Sequence, residues 1–121
     1  MLDFARIDPA FFATASELDA SLIYAGWTGD ATPDEHWSTG RCRCYVYVLT
    51  SGWLPCYIGK SFDPHRRFRM HRRREWWAEA ERLLVFQVTG ASRGDAGRKA
   101  LRLEAAAIHA MRPLYNIAGV A

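Results

Sequence analysis

Two short apolar runs joined by a two-residue turn constrain this chain more than anything else in it. Tyr45 to Thr50 (YVYVLT) alternates aromatic and branched side chains, the composition of a pleated strand. Ser51-Gly52 supplies a turn, and Leu54 to Ile58 returns as a second strand that Gly59 is expected to end. Asp63-Pro64 then has the form of an N-cap followed by proline at the first helical position. Behind it stand Arg66, Arg67, Arg69, His71, Arg72, Arg73 and Arg74. The expectation is a hairpin feeding a strongly cationic helix, a surface on which phosphate could rest.

The flanking segments extend this unit. Asp8-Pro9 resembles a helix start, and Phe11, Ala15, Leu18 and Leu22 follow at helical spacing, so residues 1–25 are expected to hold one helix ended by Gly26. Residues 26–43 are rich in turn formers and read as a loop anchored by Trp27 and Trp37. After Trp76-Trp77 comes a helical stretch to Arg82, and LLVFQV (83–88) reads as a third strand. Asp95 is expected to cap a long helix running to about Arg112, with Pro113 ending it. The fold class is therefore α+β: a small three-stranded antiparallel sheet flanked by helices, with an N-terminal helical extension. Residues 1–43 form the extension and residues 44–121 the main domain.

Charge divides along the same line. The net charge is +3, yet residues 1–40 carry one basic residue and seven acids, whereas residues 41–121 carry fifteen Lys and Arg against six acids. Such asymmetry points to a nucleic-acid-binding unit behind an acidic segment, which is expected to pack against the sheet. No apolar run approaches the ~18 residues of a transmembrane helix. The first residues lack the pattern of a signal peptide, so a cytoplasmic protein with no membrane partner is expected. Cys42, Cys44 and Cys56 could join His36 around zinc, but the gap between Cys42 and Cys44 is short for such a site. Packing of Cys44 and Cys56 as small hydrophobes is preferred.

Glu104 is the most informative single residue. Leu101, Glu104, Ile108 and Met111 recur at helical spacing, so the stripe is expected to face the sheet. A carboxylate there needs a partner or a metal. On the residues alone, an ion pair with a helix arginine is the simpler account, and metal ligation is the other.

Together, YVY, the YIG at 57–59, Arg67 and His71, Glu104 in RLEAAAIHAM, and Pro113-Leu114-Tyr115-Asn116 resemble the GIY-YIG nuclease domain over residues 44–117. The resemblance implies a metal-dependent DNA endonuclease that hydrolyses phosphodiester bonds. Glu104 would be the protein ligand of a single Mg²⁺ or Mn²⁺ ion. Arg67 would meet the transferring phosphoryl oxygens and His71 would assist. Tyr47 and Tyr57 would serve the attacking water, with Tyr47 preferred as the base. Lys60, Arg66, Arg69, Arg72, Arg73 and Arg74 would grip the DNA backbone, and Gly59 and Asn116 would support the site. The motif varies here: Tyr45 and Val46 replace its Gly and Ile, and Ser61 stands where many relatives have Thr. Repair and restriction are both compatible pathways, and monomer and homodimer both remain open. Two other readings share the basic face: a non-catalytic nucleic-acid-binding module, and an interaction protein that meets an acidic partner.

Overall fold

The computed structural model describes residues 9–27, 42–52, 54–64, 66 and 80–113. In chain order the elements are α1 (Pro9–Glu17), β1 (Ser21–Trp27), β2 (Arg43–Ser51), β3 (Leu54–Ser61), β4 (Arg82–Thr89) and α2 (Arg93–Met111). The strands form one antiparallel sheet in the order β1-β4-β2-β3. The α+β class is as expected, but the sheet has four strands rather than three.

The added strand comes from the segment read as the second half of a helix. α1 stops at Glu17, where Asp19 takes a left-handed conformation (φ 53°). The Leu18 N–H donates to the Thr14 carbonyl (3.0 Å) and the Ala20 N–H to that of Ala15 (2.9 Å), which closes the helix end. SLIYAGW then pairs with β4, with a register irregularity between Leu22 and Tyr24. Ile23 and Tyr24 lean on the sheet, while Leu22 is exposed. Gly26 and Trp27 thus belong to a strand and not to the expected loop. The boundary drawn at residue 43 falls between two strands of one sheet.

The hairpin forms as read, but longer. Gly52 adopts φ 60° at the turn, and its N–H donates to Glu81 Oε1 (2.7 Å). Pro55 sits in β3, an outer strand where a missing N–H costs the ladder least, beside a register shift between Leu49 and Thr50. β3 does not end at Gly59 but continues to Ser61.

Alternation along the strands divides the core in two. Cys44, Val46, Val48, Ile58, Leu84, Phe86 and Val88 face both helices, meeting Phe11 and Leu18 of α1 and Ala96, Ala100, Leu103 and Ala107 of α2. Tyr45, Tyr47, Leu49, Tyr57, Leu83 and Val85 form the other face, with Ala80. α1 therefore packs on the sheet through buried Phe11, whose ring meets Phe86 edge-on at 5.5 Å.

α2 begins one turn earlier than expected. Ser92, not Asp95, is its N-cap, and Ser92 Oγ accepts from the Asp95 N–H (3.1 Å). Asp95 reaches back, its Oδ2 accepting from the Ala91 N–H (2.8 Å). The pair divides the orphan donors of the first turn as a capping box does. Arg112, at φ 48°, closes the other end.

Ser92→Ala is expected to destabilise the fold by about 1 kcal/mol in urea titration. The Ala91 N–H, aided by the Lys99 ammonium 3.6 Å away, holds the Asp95 carboxyl below the usual carboxylate range. A depressed carboxyl stabilises the fold above its unfolded pKa and loses that contribution as pH falls through its folded value. Asp95→Asn should therefore flatten the acid limb of a stability–pH curve, read by thermal melts between neutral and acidic pH.

Candidate active site

Antiparallel pairing places Tyr47 of β2 directly opposite Gly59 of β3, and Leu49 opposite Tyr57. The rings of Tyr47 and Tyr57 stack with centroids 6.1 Å apart and planes inclined by 27°. A Cβ on Gly59 would collide with Tyr47 Oη and would lie 2.6 Å from Tyr47 Cζ and 2.9 Å from Tyr57 Cε1. Gly59 is thus not a strand breaker. It is the clearance that lets the Tyr47 phenol lie across β3. Tyr47 is fully buried and Tyr57 retains 4% of its surface. Tyr45, on the same face, is a buried core residue as expected.

Lys60 pairs with Val46 and so projects to the opposite face, where α2 lies. Glu104 belongs to α2, on that same side. The expected apolar stripe through Leu101, Glu104, Ile108 and Met111 is out of phase with the packing. Ala96, Ala100, Leu103 and Ala107 are the buried set, and Leu101 is 52% exposed. Three alanines and Leu103 make the contact with the sheet, Ile108 and Met111 pack partly buried beside them, and Leu101 stands out to solvent. Glu104 is consequently half-buried beside that stripe and not within it. A carboxylate at such a margin keeps contact with water, which lowers the cost of its charge.

Cys44 registers the charges around this second group. Burial pushes its thiol up from the ordinary range; the backbone at Tyr45 and the Lys60 charge oppose that rise, Glu104 adds to it, and Arg93 opposes it. Cys44 and Cys56 are both buried strand residues, whereas Cys42 is exposed. Among the described residues no three or more His, Cys, Asp or Glu side chains gather as a metal cage. Glu104 offers a hard oxygen donor of the kind that Mg²⁺ and Mn²⁺ share with water and phosphate.

The start of the basic helix is visible and follows the sequence. Asp63 Oδ1 accepts from the Arg66 N–H (3.2 Å), Pro64 follows the cap, and Ser61 Oγ accepts from the Asp63 N–H (2.9 Å). Arg66 is exposed. Arg67, Arg69, His71, Arg72, Arg73, Arg74, Trp76, Trp77 and Asn116 lie outside the described residues. Phe62 ties this corner to α2: the Arg93 guanidinium sits 4.0 Å above its ring, an attachment the sequence did not signal.

Crystal structures of the N-terminal GIY-YIG endonuclease domain of UvrC from Thermotoga maritima are similar to this chain. With magnesium bound, that domain is 26% identical, with a TM-score of 0.48 over 64% of this chain and 86% of the other. Two point mutants of it, each bound to the divalent cation, are 25% identical over the same shares, with TM-scores of 0.49. No protein-family model matches the chain, and a comparison with curated proteins gives no match.

Gly59→Ala should force the Tyr47 ring aside. A loss of about 1–3 kcal/mol, typical of overpacking, is expected in denaturant melts, together with a changed near-ultraviolet tyrosine signal.

Proposed function

We propose that the chain is a metal-dependent nuclease that hydrolyses DNA phosphodiester bonds. The observation that carries the reading is the interlock of Tyr47, Tyr57 and Gly59. Three elements of the sequence motif meet as one packed unit, with register, ring stack and missing Cβ each depending on the others. β3, an outer strand, carries Tyr57 on one face and Lys60 on the other, so a phosphodiester laid across its edge can meet both groups.

Glu104 would hold the divalent ion, which when bound supplies positive charge to the oxygens of the breaking bond. Lys60 adds a fixed cation on the same face. Tyr47 has no exposed surface, so we assign it to positioning rather than to proton transfer, in place of the base role that the motif alone suggests. Tyr57 retains some surface and takes the part of orienting the attacking water. Water adds to phosphorus as it gives up a proton to solvent, the bond to the leaving oxygen breaks, and that oxygen takes a proton back from solvent to leave as a hydroxyl. Arg67 and His71 keep the roles that the motif implies. Repair or restriction, the sequence of the target and an intracellular setting belong to the same proposal.

A second reading, a nucleic-acid-binding module without catalysis, is favoured by one observation. The sheet separates the buried tyrosine pair from Glu104 and Lys60. Cleavage of supercoiled plasmid, flap and branched DNA with Mg²⁺ or Mn²⁺ distinguishes the two. Glu104→Ala should lower cleavage by on the order of 100-fold or more while leaving binding intact, and chelation should abolish it. Binding without cleavage on every substrate would favour the module.

A further inference from the structure

α2 buries one side and leaves the other to solvent, and the two sides differ sharply in chemistry. At 100° per residue, Arg98, Arg102, His109 and Arg112 fall within an arc of about 80°. That arc is centred opposite the buried Ala96, Ala100, Leu103 and Ala107. All four are exposed, as are Ala105 within the arc and Leu101 just beyond its edge. From Arg98 to Arg112 the stripe runs about 21 Å at 1.5 Å per residue.

No acid of α2 lies within this arc. Asp95, on its border, is held by the Ala91 N–H and Lys99 and also feels the charge of Arg98 three residues on, but it is solvent-accessible, so water screens that attraction. Glu104 is half-buried on the flank outside the arc. Glu17 of α1 bridges Arg102 at 3.1 Å, but both side chains are more than half exposed, so water screens the pair and an incoming anion can exchange with it. The helix dipole gives His109 and Arg112 a reason to stand at the C-terminal end, but it gives Arg98, in the N-terminal half, none.

We propose that this outer face of α2 is a docking surface for the phosphate backbone of duplex DNA, formed by residues other than the arginines at 66–74. Charge complementarity selects the occupant. A duplex presents one negative charge per about 1.7 Å of axis, so roughly a dozen phosphates pass along the stripe's length. The helix is packed on the sheet along its other side and rides across the backbone, where guanidinium groups hold phosphate without reading sequence. The inference rests on DNA as the partner, and not on catalysis.

The test is binding of a labelled 30-base-pair duplex by the full chain in chelator, across a salt series. The proteins compared are wild type, Arg98→Ala with Arg112→Ala, and Arg98→Lys with Arg112→Lys. The alanine pair should lower the slope of log affinity against log salt by about 1.8 and weaken binding on the order of tenfold or more near 0.1 M salt. The lysine pair should stay near wild type, and all three should melt alike. Unchanged slope and affinity in the alanine pair overturns the proposal, as does a wild type that binds no duplex. Loss of binding to polyglutamate with DNA binding kept also overturns it, and assigns the face to an acidic protein. With cleavage assayed in parallel, normal cutting with an unchanged slope sinks this surface alone. A reduced slope with no cutting by wild type sinks the nuclease reading alone.

Discussion

Strand β2 is hydrogen-bonded along both edges, to β3 on one side and β4 on the other. It is also covered on both faces: every residue from Cys44 to Thr50 is buried. A strand in that position cannot slip by one residue, because each side chain would move to the opposite core. Even-numbered positions carry the small and branched residues that meet two helices, and odd-numbered ones carry Tyr45, Tyr47 and Leu49. The partition of the candidate site follows directly. Whatever Tyr47 does is done on the face away from α2, and whatever Glu104 does is done on the face towards it.

Gly59 makes this partition tight. Its pairing with Tyr47 is a backbone matter, set by the ladder, but the ring that crosses it exists only because the position has no side chain. The glycine therefore links register to ring placement, and ring placement to Tyr57 through the stack. A motif spelled Tyr-Ile-Gly is legible in these terms without any reference to chemistry: a ring to stack, a branched residue for the opposite core, and a gap for the partner's phenol.

The elements that could be read from the residues were those with two independent signals. The hairpin had alternation and a turn glycine, the cap at Asp63 had Pro64 behind it, and β4 had a branched run with a Thr-Gly stop. β1 had neither advantage. Ala15, Leu18 and Leu22 continue a helical spacing by coincidence, and the chain turns at Asp19, which takes positive φ more readily than most residues but gives a weaker sequence signal than glycine would. Pairing with β4, some sixty residues away, decides the outcome, and no local pattern contains it. The phase of α2 was missed for a related reason. Leu101, Ile108 and Met111 are the bulky apolar residues, yet the close approach of helix to sheet is made by Ala96, Ala100 and Ala107. Of the bulky apolar residues of α2 only Leu103 is fully buried, and alanines make the rest of the buried face.

That choice shapes the helix on all sides. With alanines against the sheet, the opposite arc is left to Arg98, Arg102 and Arg112, and the intervening margin to Glu104. A helix packed through large residues would have drawn Leu101 inward and rotated Glu104 into the core, where its charge would have required a buried partner. Packed as it is, α2 can keep a carboxylate at the water's edge and still present Arg98, Arg102 and Arg112 on its outer face. The same few alanines therefore settle where a divalent ion could be held and where a polyanion could lie.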